Sequence, residues 1–156
     1  MKRVAGAVGL ILLSGLLHAQ EAAVVRAPWT LLDQFDQAYT LNDELHILLV
    51  ARSMDGAKIL KQALEGKTKG YLEARNAIFV ADVSQMPGLI ATLFAIPAMQ
   101  DYTYRVLLDR QPRVVTRYPG ASDTVLWVDL QDGLVKAQRE YSDPIELEKA
   151  LQQAGQ

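Results

Sequence analysis

Hydrophobic positions fall into short runs separated by polar turns, and the run at residues 45 to 51, Leu-His-Ile-Leu-Leu-Val-Ala, is interrupted only by His46. An unbroken apolar run of this length predicts a strand buried on both faces of a parallel or mixed sheet. It stops at Arg52-Ser53 and passes into Ala57, Leu60, Lys61 and Leu64 at helical spacing, with Ser53 or Asp55 available as cap and Gly66 as stop. After the polar connection Lys67-Thr68-Lys69-Gly70, residues 76 to 83 repeat the buried-strand pattern. Residues 86 to 99 are apolar on every side, with Pro87 where a helix start accepts it and Pro97 where it ends or kinks the helix.

From Tyr102 onward the period becomes that of strands. Residues 104 to 109 predict one strand and residues 113 to 118 a second, closed by Pro119-Gly120. Residues 124 to 129 and 134 to 140 flank Asp132-Gly133, a hairpin signal, and Ser142-Asp143-Pro144 opens a last helix whose inner face is Ile145, Leu147 and Leu151. Upstream, residues 27 to 41 read as a loose hairpin burying Trp29, Leu31, Tyr39 and Leu41. The order predicts an α/β three-layer sandwich with a mixed central β-sheet, helices on both faces and an N-terminal β-hairpin.

The first nineteen residues stand apart. Lys2 and Arg3 precede an apolar stretch from Val4 to Leu17, and Ala19 offers a small residue for cleavage, so residues 1–19 are expected to be a signal peptide, 20–26 a linker and 27–153 the folded domain. The expected location is periplasmic or secreted, with no integral membrane span after cleavage. Without cysteine the chain cannot be a lipidated bacterial lipoprotein. Removal of the leader leaves 14 basic against 18 acidic residues, a formal charge of −4. No Lys/Arg cluster is visible in the sequence, so nucleic acid is not an expected partner.

Candidate chemistry is sparse. The histidines are His18, which leaves with the leader, and His46, which the pattern places within a strand as an ordinary sheet residue. One mature histidine and no cysteine leave zinc without ligands, and no glycine-rich cofactor motif follows a strand, so no metal, cofactor or catalytic residue is assigned. Carboxylates remain: an enzyme using them, or an unseen cofactor, would require Asp55, Asp109, Asp123 and Asp129 to converge. Strand-end aspartates ordinarily cap turns, which is the competing expectation.

Four stretches resemble the thioredoxin-like superfamily, nearest in layout to peroxiredoxins and exported thiol-disulfide reductases. Residues 29 to 41 resemble the entry hairpin, and residues 48 to 58 the strand and turn that carry the Cys-x-x-Cys motif. Residues 104 to 109 resemble the peroxiredoxin strand ending in aspartate, and residues 124 to 135 the strand-turn-strand that follows the family's cis-proline. In this alignment Met54 and Ala57 occupy the cysteine positions, and Asp123 or Thr124 that of the cis-proline. A thioether and a methyl cannot attack a disulfide or a peroxide, so thiol redox activity of the family type is excluded by chemistry.

The resemblance further implies a retained groove without its reaction. Such a groove would receive a protein or peptide at Arg52, Ser53, Met54, Asp55, Ala57, Tyr102, Asp123 and Thr124. The apolar segment 86–99 carries two expectations: burial beneath a loop or the N-terminal hairpin, or an exposed surface for a partner or self-association. A purely structural or oligomerising domain is the third reading.

Overall fold

The computed structural model describes residues 27–156, so the expected leader and linker lie outside the described residues. Seven strands form one mixed sheet in the order β2-β1-β5-β4-β3-β6-β7. They are β1 (Thr30–Asp33), β2 (Ala38–Thr40), β3 (Ile47–Ala51), β4 (Ala77–Asp82), β5 (Val106–Asp109), β6 (Val125–Gln131) and β7 (Leu134–Tyr141). β3 runs parallel to β4 and β4 to β5, whereas the outer pairs are antiparallel. The continuous apolar runs are therefore the central strands, as required of positions covered on both sides.

Alternation along these strands splits the core into two layers. Leu49, Phe79, Val106 and Trp127 face a cluster with Leu60, Leu147 and Leu151 from helices α1 (Met54–Ala63) and α4 (Pro144–Ala154). Leu48, Val80, Leu107 and Leu126 face the other layer, closed by Trp29, Val114, Val115 and Tyr118. Trp29 also donates its indole N–H to the Tyr118 hydroxyl at 3.0 Å, giving a buried polar group its partner. The expected inner face of the hairpin is present, with Trp29, Leu31 and Leu41 buried and Tyr39 half-buried.

Local signals account for several boundaries. Ser53 is the N-cap of α1 and accepts from the Gly56 N–H at 3.3 Å, while Asp143 caps α4 by accepting from Ile145 at 2.9 Å, with Pro144 just inside. Asp132 and Gly133 have φ of 52° and 75°, the two left-handed positions of the tight turn joining β6 to β7.

Ile145 is 60% exposed at the first turn of α4, so it does not share the inner face with Leu147 and Leu151 as expected. Three larger expectations are corrected. Residues 113 to 118 are not a strand; they hold a 3₁₀ turn at Val115–Arg117. The cause is Asp109, which is fully buried and whose carboxylate accepts from the N–H groups of Val114 at 2.8 Å and Val115 at 2.9 Å, with Arg113 at 3.4 Å. N–H groups committed to that carboxylate are not free for a sheet ladder. His46 lies just before β3 and is exposed, so it is not a residue inside the strand.

The third correction concerns the apolar segment. Helix runs through α2 (Gly88–Ile90), a π turn at Ala91–Ala95 and α3 (Ile96–Met99). Pro97 stands in the last turn of this helix but does not end it there, since the helix runs on to Met99. Instead the turn before it widens, with Ile96 N–H bonded to Ala91 O, as is common where a ladder must adapt to a missing donor. The segment is not buried under the hairpin: Leu89, Ile90, Leu93 and Phe94 are 46–69% exposed.

A cysteine-free groove at the start of helix α1

The first turn of α1 sits at the C-terminal end of β3, where the sheet's central crossover begins. Its inner side is closed tightly. Gly56 is buried against the loop before β6, and a Cβ placed there would lie 2.5 Å from the Thr124 carbonyl oxygen and 3.3 Å from Ala51 Cβ. Ser53 donates its hydroxyl to the Ser122 carbonyl, so the loop 122–124 is fastened to the helix start at two places.

Arg52 reaches across the same corner. Its guanidinium donates to the Val115 carbonyl at 3.0 Å, and burial lowers its pKa from the ordinary value, opposed by Glu140 and Asp82. Glu140 holds the loop from the far side, accepting from the Ala121 N–H at 2.6 Å and the Thr124 hydroxyl at 3.1 Å. Gly120 passes between the two groups; a Cβ there would meet Glu140 Oε1 at 2.8 Å and Arg52 Nη1 at 3.0 Å.

The open side of the first turn faces the 88–99 helix. Met54 is 69% exposed. Two adjoining cavities share Met54, Ala57, Ala81 and Met99. One, of about 370 Å³, extends to Arg52, Val83 and Met86. The other, of about 430 Å³, extends to Tyr102, Tyr104 and Phe79. β4 contributes to the floor of both, Val106 at the start of β5 to that of the larger one, and their walls are chiefly apolar.

Of the eight residues expected in the groove, Arg52, Ser53, Met54, Asp55, Ala57 and Tyr102 line these cavities. Asp123 and Thr124 line neither. Gly56 lies about 200° around the helix from Met54, and it is on that closed side that the Thr124 backbone packs.

Sequence reasoning did not find Met99, Gly56 or Gln34 as groove residues. Gln34 is 2% exposed; its amide donates to the carbonyls of Tyr104 at 2.9 Å and Met99 at 3.3 Å, and its Oε1 accepts from Val106 N–H at 2.8 Å. It thus pins both ends of the segment carrying Met99, Tyr102 and Tyr104 to the N-terminal hairpin. Asp33, also buried, accepts from Arg105 at 2.7 Å and from the turn N–H groups of Phe35 and Gln37. A polar hairpin tip carries no local sign that its side chains turn inward.

The aspartates required for a carboxylate site do not gather. Asp109 is consumed in the 113–115 turn, Asp129 accepts from the Trp127 indole at 2.7 Å, Asp55 lies in the exposed first turn of α1, and Asp123 is in an exposed loop. Among the described residues no group of three or more histidine, cysteine, aspartate or glutamate side chains is placed to hold a metal ion.

This architecture is the thioredoxin-like fold. The chain aligns with peroxidoxin BcpB from Mycobacterium tuberculosis at 16% identity and a TM-score of 0.52, covering 82% of this chain and 92% of that one. It aligns with the thioredoxin domain of a thiol-disulfide oxidoreductase from Bacteroides vulgatus at 13% identity and a TM-score of 0.52, covering 83% and 94%. StoA from Bacillus subtilis gives 10% identity, a TM-score of 0.52 and coverage of 80% and 96%. No protein-family profile and no curated sequence matches the chain.

Several structural neighbours are named for thiol chemistry, whereas this chain has no cysteine at any position. The chain thus has the thioredoxin-like fold, with Met54 and Ala57 at the start of α1. The described residues contain no cis peptide bond, the loop entering β6 included.

Proposed function

We propose that this protein is an exported, non-redox thioredoxin-like binding module that holds an extended segment of another protein between α1 and the 88–99 helix. The observation that carries the reading is Met54, an exposed thioether where the sequence resemblance puts a redox thiol, opening onto two apolar cavities while the opposite side of the helix start is closed. A thioether is polarizable and adapts to varied apolar side chains, which suits recognition and contributes no nucleophile. Backbone around the cavities is fixed by Gln34 and Ser53, so a bound segment meets a preformed surface.

A photo-crosslinking amino acid placed in turn at Met54, Met99 and, as a control, exposed Lys136 on β7 tests this directly. The reading expects positions 54 and 99 to attach to one contiguous stretch of one partner. Attachment no more frequent or more localised than at 136 refutes it. Export through residues 1–19 predicts that the protein recovered outside the cytoplasm begins near Gln20, as N-terminal sequencing would read.

A second reading rests on a separate observation, the exposed Leu89, Ile90, Leu93 and Phe94. In it, two copies associate through the 88–99 helix and cover these side chains. Crosslinks between copies at Leu93, together with a dimeric mass that Leu93→Lys abolishes, would favour self-association over the groove.

Among the described residues no helix is long and apolar enough to cross a membrane.

A further inference from the structure

The cavity containing Tyr104 does not end there. It shares Lys58, Lys61, Tyr102 and Tyr104 with a third and larger cavity of about 760 Å³, which opens between the C-terminal half of α1 and the turn that follows. That volume lies within the roughly 300–1,000 Å³ of sites that enclose a small ligand or several side chains. Its character differs from the apolar stretch beside Met54. Four lysines line it, Lys58, Lys61, Lys67 and Lys69, against one carboxylate, Glu65.

This concentration of positive charge stands out in a chain whose formal charge is −2. Lys67 is already committed, with its ammonium 2.7 Å from Glu148. Among the described residues no carboxylate lies within ion-pair distance of Lys58, Lys61 or Lys69. Lys58 and Lys61 are one helical turn apart, a like-charge arrangement that an isolated helix disfavours and an arriving anion relieves. The wall opposite is aromatic: Tyr102 and Tyr104 stack at 5.0 Å, and the Lys61 ammonium lies 5.1 Å above the Tyr102 ring. Charge and ring face are thus continuous with the apolar cavities.

We infer that this lysine bay is the acidic-residue subsite of the groove, so that the bound segment carries an apolar side chain beside Met54 and one or more Asp or Glu residues over Lys58, Lys61 and Lys69. The inference rests on the groove reading and specifies the chemistry of its partner. Complementary charge at the open rim steers the segment and sets its direction along the groove, because reversal would place carboxylates against the apolar cavities.

A library of random twelve-residue peptides, selected at low salt on the full-length protein and on its Lys58→Glu/Lys69→Glu and Met54→Asp variants, separates the two claims. Both altered lysines are exposed. The expected result is enrichment of an apolar residue followed or preceded by Asp/Glu, lost on the charge-reversed variant. In fluorescence anisotropy, replacing the acidic residues of a selected peptide by glutamine should weaken binding about five- to tenfold at low salt, with a smaller effect in high salt. Selected peptides without acidic bias that still require Met54 overturn the bay and leave the groove reading standing. Absence of any Met54-dependent peptide overturns both.

Discussion

Replacing Gly56 with alanine sets two effects of opposite sign against each other. In an ordinary helix interior the change stabilises by about 1 kcal/mol, because glycine gives up more backbone freedom on folding. Here the added methyl would meet the Thr124 carbonyl oxygen at 2.5 Å and Ala51 Cβ at 3.3 Å. Neither neighbour is a flexible side-chain end: one is loop backbone fastened through Ser53 and Ser122, the other belongs to the fully buried β3. A 2.5 Å approach to fixed backbone puts the overpacking cost at about 2–3 kcal/mol, the upper part of the usual range, so the steric effect should win by about 1–2 kcal/mol net.

For a domain of this size that corresponds to a fall in melting temperature of roughly 3–8 °C. Thermal and urea denaturation of Gly56→Ala beside Gly88→Ala provides the assay, since a Cβ at Gly88 meets nothing within 4 Å. Gly88→Ala should be neutral or slightly stabilising. If Gly56→Ala proves as stable as wild type, the claim that α1 is seated directly on the 122–124 loop is wrong. The same variant should loosen the corner held by Arg52 and Glu140, seen as faster amide exchange at Ala121 and Thr124.

Other substitutions probe the supports of the groove. Asp109→Ala leaves the Val114 and Val115 N–H groups without their buried acceptor and should cost about 2–4 kcal/mol in urea unfolding, whereas Asp109→Asn, which retains one carbonyl oxygen, should cost less. Gln34→Ala removes the ties to Tyr104, Met99 and Val106 and should lose about 2–3 kcal/mol while weakening peptide binding more than a distant variant of equal stability. Tyr104 retains its proton above the ordinary phenol value of 10.0, first because burial disfavours the phenolate and then through Tyr102. Its contribution is present below pH 10 and falls as pH rises past that value, because the unfolded chain then releases a proton the folded chain keeps. Tyr104→Phe should flatten this alkaline decline in melting temperature.

Much of the scaffold was legible before any coordinates. Leu48, Leu49 and Val50 sit in a run with no solvent-facing position, and burial on both faces is the only economical placement for such a run in a sheet. Ser53 and Asp143 announced helix starts because a cap depends on groups within three residues. The missing thiol was equally plain, since chemistry that needs sulfur cannot be supplied by position. Residues 113 to 118 misled because their apolar, β-branched sequence fits a strand; the competing acceptor, Asp109, becomes decisive only when the sheet buries its carboxylate beside them.

The sequence by itself determined the element order apart from residues 113 to 118, the two-sided burial of the central strands and the absence of thiol chemistry, all of which depend on residue type and on spacing within a few positions. Tertiary structure decided which side of α1 is closed and which is open, because the Gly56 contact with Thr124 joins residues far apart in the chain. It also decided that Leu93 and Phe94 face outward, and that lysines from α1 and its following turn share a bay with Tyr102 and Tyr104. Periodicity records how apolar a surface is; only the packing of the other elements determines whether anything covers it.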